Sequence, residues 1–156
     1  MGGNTLNMNT TEEKQLTSLY ANILITLDGN PSDRAIIDHI KPLARASKSH
    51  VTLIHVADGW AARTHGKLAI SAEISLDEKY LKELKEEFTK SNIAAETVLA
   101  YGDPAKEIIR WVETNPCNLI AMSTHGHAFF GDLFFGSTSR EVKHKVKIPV
   151  LLLRAS

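Results

Sequence analysis

The stretch STHGHAFFGDLFFGST, Ser123 to Thr138, decides how this chain is read. A short apolar run, Asn118 to Met122, leads into it, and a helix-compatible segment, Ser137 to Lys147, leaves it. A strand, a loop of small residues, and a helix opened by Gly136-Ser137-Thr138 together resemble the way a chain cradles a phosphate group. Gly126 and Gly136 let the backbone approach a ligand with no side chain between. Ser137 and Thr138 offer hydroxyls, and the first amides of the following helix have no partner inside it. A second assignment fits the same residues: Gly136 ends a turn and Ser137 caps the helix.

Working back from this loop, the segments before it alternate between strand and helix patterns. Asn22 to Leu27 (NILITL) is apolar on both faces, as a central parallel strand requires. Asp28-Gly29-Asn30-Pro31-Ser32 then marks a turn. Ile36, Ile37, Ile40, Leu43 and Ala44 form one stripe of a helix over 33–47, in which Pro42 predicts a kink or a division into two shorter helices. His50 to Ala57 is a second strand. The span 58–72 reads as irregular, followed by an amphipathic helix over 76–88 with Leu76, Tyr80, Leu81, Leu84 and Phe88 on its packed face.

Ile93 to Tyr101 reads as a third strand and Ala105 to Glu113 as a helix. Asp103 is its expected N-cap and Pro104 its first residue. A short fourth strand covers 119–122, and Val150 to Leu153 is the fifth. Five strands alternating with helices argue for an open parallel sheet covered on both faces. Ligands of such sheets sit beyond the carboxyl ends of the strands, where strand order reverses. Asp28, Val56, Gly102 and Ser123 all fall near such ends.

With 156 residues the chain is long enough for one independently stable core. Residues 1–18 read as a tail rich in Asn and Thr, and 19–156 as the domain. Lys plus Arg equals Asp plus Glu, 18 of each. No net basic field gathers nucleic acid or an anionic membrane, and no apolar run reaches the length of a membrane helix. No secretory signal is expected, and a reducing, cytoplasmic setting fits the single cysteine, Cys117, read as a partly buried thiol rather than a nucleophile.

Other residues carry competing assignments. Asp28 either accepts hydrogen bonds from a ligand or fixes the turn that follows it. His125 and His127 lack the further Cys or acidic ligands of a zinc site, and Asp132 suits a solvated role or a cation carried by phosphates. Phe129, Phe130, Phe134 and Phe135 either pack beneath the loop, wall an adenine pocket, or meet a partner. The P-loop is excluded because it needs Lys after its last glycine, where Ser137 stands.

Taken whole, residues 21–154 resemble the universal stress protein family, single-domain type. Nucleotide-binding members carry glycine, two residues, glycine, nine residues, then glycine and a hydroxyl residue. Here that register is Ser123, Thr124-His125, Gly126, nine residues, then Gly136-Ser137, with serine in place of the first glycine. Asp28, Val56, Gly102-Asp103-Pro104 and Met122 match further family positions. The resemblance implies strand order 3-2-1-4-5, a homodimer through the last strands, and ATP or AMP as ligand with Mg or Mn carried on the phosphates. It also implies a stress-survival or signalling role with little turnover, acting on an unknown protein partner. Its rivals are an interaction protein working through its dimer and Phe-rich loop, and a slow ATPase.

Overall fold

The computed structural model describes residues 19–57, 67–125 and 136–155. Among the described residues nine elements alternate: β1 (Asn22–Leu27), α1 (Asp33–Ala46), β2 (His50–Ala57), α2 (Lys67–Lys90), β3 (Ala94–Tyr101), α3 (Pro104–Thr114), β4 (Leu119–His125), α4 (Ser137–Lys145) and β5 (Val150–Ala155). The five strands form one sheet in the order β3-β2-β1-β4-β5, as expected. Every neighbouring pair runs parallel. Strand order reverses at β1, which pairs β2 on one side and β4 on the other.

Side-chain alternation divides the core into two layers. Ile23, Ile25 and Leu27 pack with Ile36, Ile37 and Ile40 of α1 and Leu81, Leu84 and Phe88 of α2. Leu24, Ile54, Ile120 and Met122 pack instead with Ala105 and Ile108 of α3 and Val142 of α4. This segregation follows from right-handed crossovers: β1-to-β2-to-β3 moves one way along the sheet and β4-to-β5 the other. β1 is buried on both faces, and each fully buried Leu or Ile contributes about 1.5–3 kcal/mol.

Several boundaries differ from the sequence expectation. α1 is a single helix with Pro42 inside it, not two shorter ones. Pro42 and Asp38, whose carbonyl loses its i+4 partner, both lie on the exposed face, where water can serve that carbonyl. α2 begins at Lys67, well before the expected start, and Leu76 is 67% exposed rather than packed. Each i+4 step drifts about 40° around a helix, so a row running back from Phe88 through Leu84 and Tyr80 has left the buried stripe by Leu76. β4 continues to His125 because β5 continues to Ala155 beside it. α4 ends at Lys145, earlier than expected, with Val146 as its C-cap. α3 starts as expected: Asp103 caps it, accepting from the Lys106 amide at 3.0 Å, with Pro104 in the first turn. Among the described residues no helix is long and apolar enough to cross a membrane.

Helices α1 and α2 are also tied by charge. Glu87 receives Arg34 at 2.8 Å and Lys41 at 2.5 Å. Hydrogen bonding from Arg34 is the main cause holding the Glu87 carboxyl down to about 2, with Lys41 adding to it. A depressed carboxyl stabilises the fold above its unfolded pKa, and that stability disappears as pH falls towards the folded value. Melting temperature measured from pH 5 to pH 2 is therefore expected to fall less steeply in Glu87→Gln than in the parent chain. The difference is modest because the cluster is partly solvent-screened.

Candidate functional site

The expected residues can be placed around the carboxyl rim of β1, β2 and β4. Thr26 of β1 lies opposite Met122 of β4, and Leu27 lies opposite His55 of β2. Asp28 is the first residue past β1, and its side chain is exposed. Met122 is 4% exposed and Val56 half-buried, and both belong to the core layer on the α3/α4 face. Gly102 sits farther out, beyond the edge strand β3, where its amide donates to the Ala57 carbonyl at 3.0 Å. Its φ of +131° is a conformation that side chains resist, so a backbone requirement explains this glycine.

Ser123 is an ordinary strand residue opposite Leu153, without positive φ. Ala121 faces α1 and α2 and Met122 faces α3 and α4, so alternation turns Ser123 towards α1 and α2. Its hydroxyl is buried without a hydrogen-bond partner among the described residues. Gly126 lies outside the described residues, as do His127, Asp132 and the four phenylalanines of the loop. The same holds for the side chain of His125.

The start of α4 has a definite geometry. Gly136 is the N-cap, at φ −50° and ψ 154°, and no side chain among the described residues caps the helix. Ser137 therefore does not act as the cap, and its side chain is exposed. Thr138 is half-buried, and the Ser139 hydroxyl donates back to the Gly136 carbonyl at 3.0 Å. A Cβ built on Gly136 meets no described atom within 4 Å. Neither backbone strain nor packing in the described structure demands glycine there. The helix thus presents first-turn amides that no described side chain caps, a favourable place for an anion.

The turn after β1 is held by a residue the sequence did not single out. Asp33, at the first position of α1, is completely buried. Its carboxylate accepts from the backbone amides of Asp28 (3.0 Å), Gly29 (2.9 Å) and Asn30 (3.3 Å). The Tyr80 hydroxyl of α2 donates to it at 2.7 Å. Burial first, then this hydrogen bond, pushes the Tyr80 hydroxyl far above its ordinary pKa and keeps it a donor. Asn30 tightens the turn further by accepting from the Ser32 amide at 2.9 Å and from the Ser32 hydroxyl. The available signal was an acidic residue just past a turn cluster, but its long reach backwards needed the fold.

His55 of β2 meets the Leu27 carbonyl through Nδ1 at 2.8 Å. Its Nε2 lies 3.5 Å from Asp77 of α2. A groove of about 270 Å³, lined by Pro31, Arg34, Ile37, Tyr80 and Leu84 among others, opens on this α1/α2 side of the sheet. Among the described residues no group of three or more His, Cys, Asp or Glu side chains could hold a metal.

Cys117 is half-buried, and its thiol lies 3.4 Å from the Leu119 carbonyl. Burial pushes the thiol pKa up, which suppresses the reactive thiolate. Alkylation at pH 8 is expected to be slower than for a free cysteine peptide and to accelerate on adding denaturant.

Comparison with known proteins gives a consistent result. The model of the universal stress protein family matches residues 19–154. Universal stress protein YxiE of Bacillus subtilis is 25% identical over 148 residues, covering 87% of this chain and all of the relative. A universal stress protein solved in complex with cAMP superposes with a TM-score of 0.65 at 18% identity, covering 88% of this chain and 98% of the other. One from Archaeoglobus fulgidus solved in complex with dAMP gives 0.64 at 17% identity, covering 86% and 98%. At these identities the two structures establish the shared fold alone.

Proposed function

This chain belongs to the universal stress protein family, and we propose that it is a nucleotide-responsive module that binds ATP or AMP at the rim between β1 and β4, with little turnover. The observation that carries the reading is the start of α4. Its first-turn amides have no side-chain cap among the described residues, and its N-cap glycine is required by nothing in the described structure. A phosphate seated there explains both facts: it uses the amides, and it needs the space above Gly136.

In this reading Asp28 positions the adenosine, and Val56 and Met122 line the base and sugar. Ser123, Gly126, Gly136, Ser137 and Thr138 surround the phosphates through backbone and hydroxyl groups, and Gly102 shapes the outer rim. The side chain of Ser123 leaves towards α1 and α2, so the serine does not intrude on the seat. Mg or Mn arrives with the phosphates. Related folds solved with cAMP and dAMP support an adenine nucleotide. The edge strand β5, with Leu151 and Leu153 only partly buried, is the surface through which two copies pair. Cytoplasmic signalling to a protein partner follows from the same reading.

Calorimetric titration of ligand-stripped protein with ATP-Mg, and separately with AMP, tests this. Binding is expected, with Gly136→Ala weakening it about tenfold while the melting temperature stays close to that of the parent, because the methyl group obstructs only the ligand. A folded, stripped sample that gives no heat with either nucleotide overturns the reading.

A further inference from the structure

The turn that follows β1 is fastened to α2 at two points one helical turn apart. At the first, Tyr80 donates to Asp33 at 2.7 Å, and Asp33 gathers the amides of Asp28, Gly29 and Asn30. At the second, Asp77 lies 3.5 Å from His55 Nε2, while His55 Nδ1 meets the Leu27 carbonyl at 2.8 Å. His55 also packs under the turn: a Cβ on Gly29 would come within 3.3 Å of its Cε1. Residues 77 and 80 share a helix face, so one surface of α2 grips both the last residue of β1 and the turn beyond it. These attachments are well shielded, with Asp33 fully buried and His55 8% exposed. Elsewhere along the same helix the outward surface is charged and solvated, with Lys79 and Glu83 among its exposed residues.

We propose that Tyr80 and Asp77 are positioning residues for the Asp28–Asn30 turn, so that a ligand held by this turn tightens α2, and α2 in turn sets the affinity of the turn for that ligand. The identity of the ligand rests on the nucleotide reading above; the coupling itself does not. Linkage makes the effect reciprocal: whatever rigidifies the turn stabilises the α2 attachments by the same free energy. The exposed side of α2 then reports occupancy of the rim to the outside of the protein, although it touches no ligand.

Hydrogen exchange followed by mass spectrometry tests this on the full chain in two arms. Without nucleotide, the combined variant Tyr80→Phe with Asp77→Ala is expected to speed exchange of the amides at 28–30 by about fivefold or more, with β1 and β4 unchanged. The milder Asp77→Asn, paired with native Tyr80, should restore most of the protection. Unchanged exchange at 28–30 in the combined variant overturns the proposal whether or not nucleotide binds. With saturating ATP-Mg, after calorimetry has established binding, exchange in 76–88 is expected to slow in the parent chain and not in the combined variant. Nucleotide binding that leaves α2 exchange unaltered in the parent also overturns it. Absence of nucleotide binding counts against the ligand reading alone, and the first arm still decides the coupling.

Discussion

Asp33→Ala is expected to lower the unfolding free energy by about 3 kcal/mol, the largest loss of any single side chain around the rim. The carboxylate is fully buried and serves three backbone amides together with the Tyr80 hydroxyl. Alanine leaves those donors without their acceptor. Each buried donor left unmatched costs about 1–3 kcal/mol, reduced where the opened turn admits water. Asp33→Asn keeps one acceptor oxygen and introduces a donor facing other donors, so an intermediate loss of about 1–2 kcal/mol is expected. Urea unfolding of both variants checks the order: parent, then Asn, then Ala. A midpoint for Asp33→Ala equal to that of the parent would show that the turn closes by other means.

Gly136→Asp is expected to separate binding from stability most sharply. Aspartate is among the best N-cap residues, accepts from first-turn amides, and complements the helix dipole. Since no described side chain caps α4 and a Cβ meets no described atom, the variant should be as stable as the parent or slightly more stable. In the proposed reading the same carboxylate takes the amides that phosphate would use and opposes its charge. Nucleotide affinity is therefore expected to fall about a hundredfold, a difference of roughly 3 kcal/mol. Thermal melting and calorimetric titration on one preparation measure both effects. Full affinity retained by a stable Gly136→Asp would move the phosphate site away from α4.

The architecture was legible because its signals are local. Asn22–Leu27 is apolar on both faces, and that suffices to make it a central strand. The Asp103-Pro104 pair announces α3 by cap chemistry alone. The division of α1 at Pro42 does not occur: propensity weighs the missing amide, whereas the exposed position of Pro42 and Asp38 makes its loss inexpensive. Leu76 misled because an i+4 row drifts off the buried face.

Around the candidate site, the places of Asp28 just past β1 and Ser137 at the start of α4 were legible in the sequence, whereas Met122 entered through the family resemblance. Asp33 and Tyr80 were not legible. Tyr80 lies on the apolar stripe of α2 and reads as packing, and its hydroxyl finds a partner 47 residues away in sequence. Only the juxtaposition of α1 and α2 on one sheet face makes that pair visible. Gly126 and the phenylalanines of the loop lie outside the described residues, so the proposed seat rests on the α4 end and the strand ends.

Ser123 turns its side chain towards α1 and α2, so at that position β4 shows only main chain to the α3/α4 face. Substitution at that position would consequently be felt in the interior beneath α1 and α2. The more damaging lesion is a change of count: one residue inserted between Ala121 and Ser123 would invert the facing of everything downstream in β4. Tolerance here is a matter of parity before it is a matter of side-chain identity.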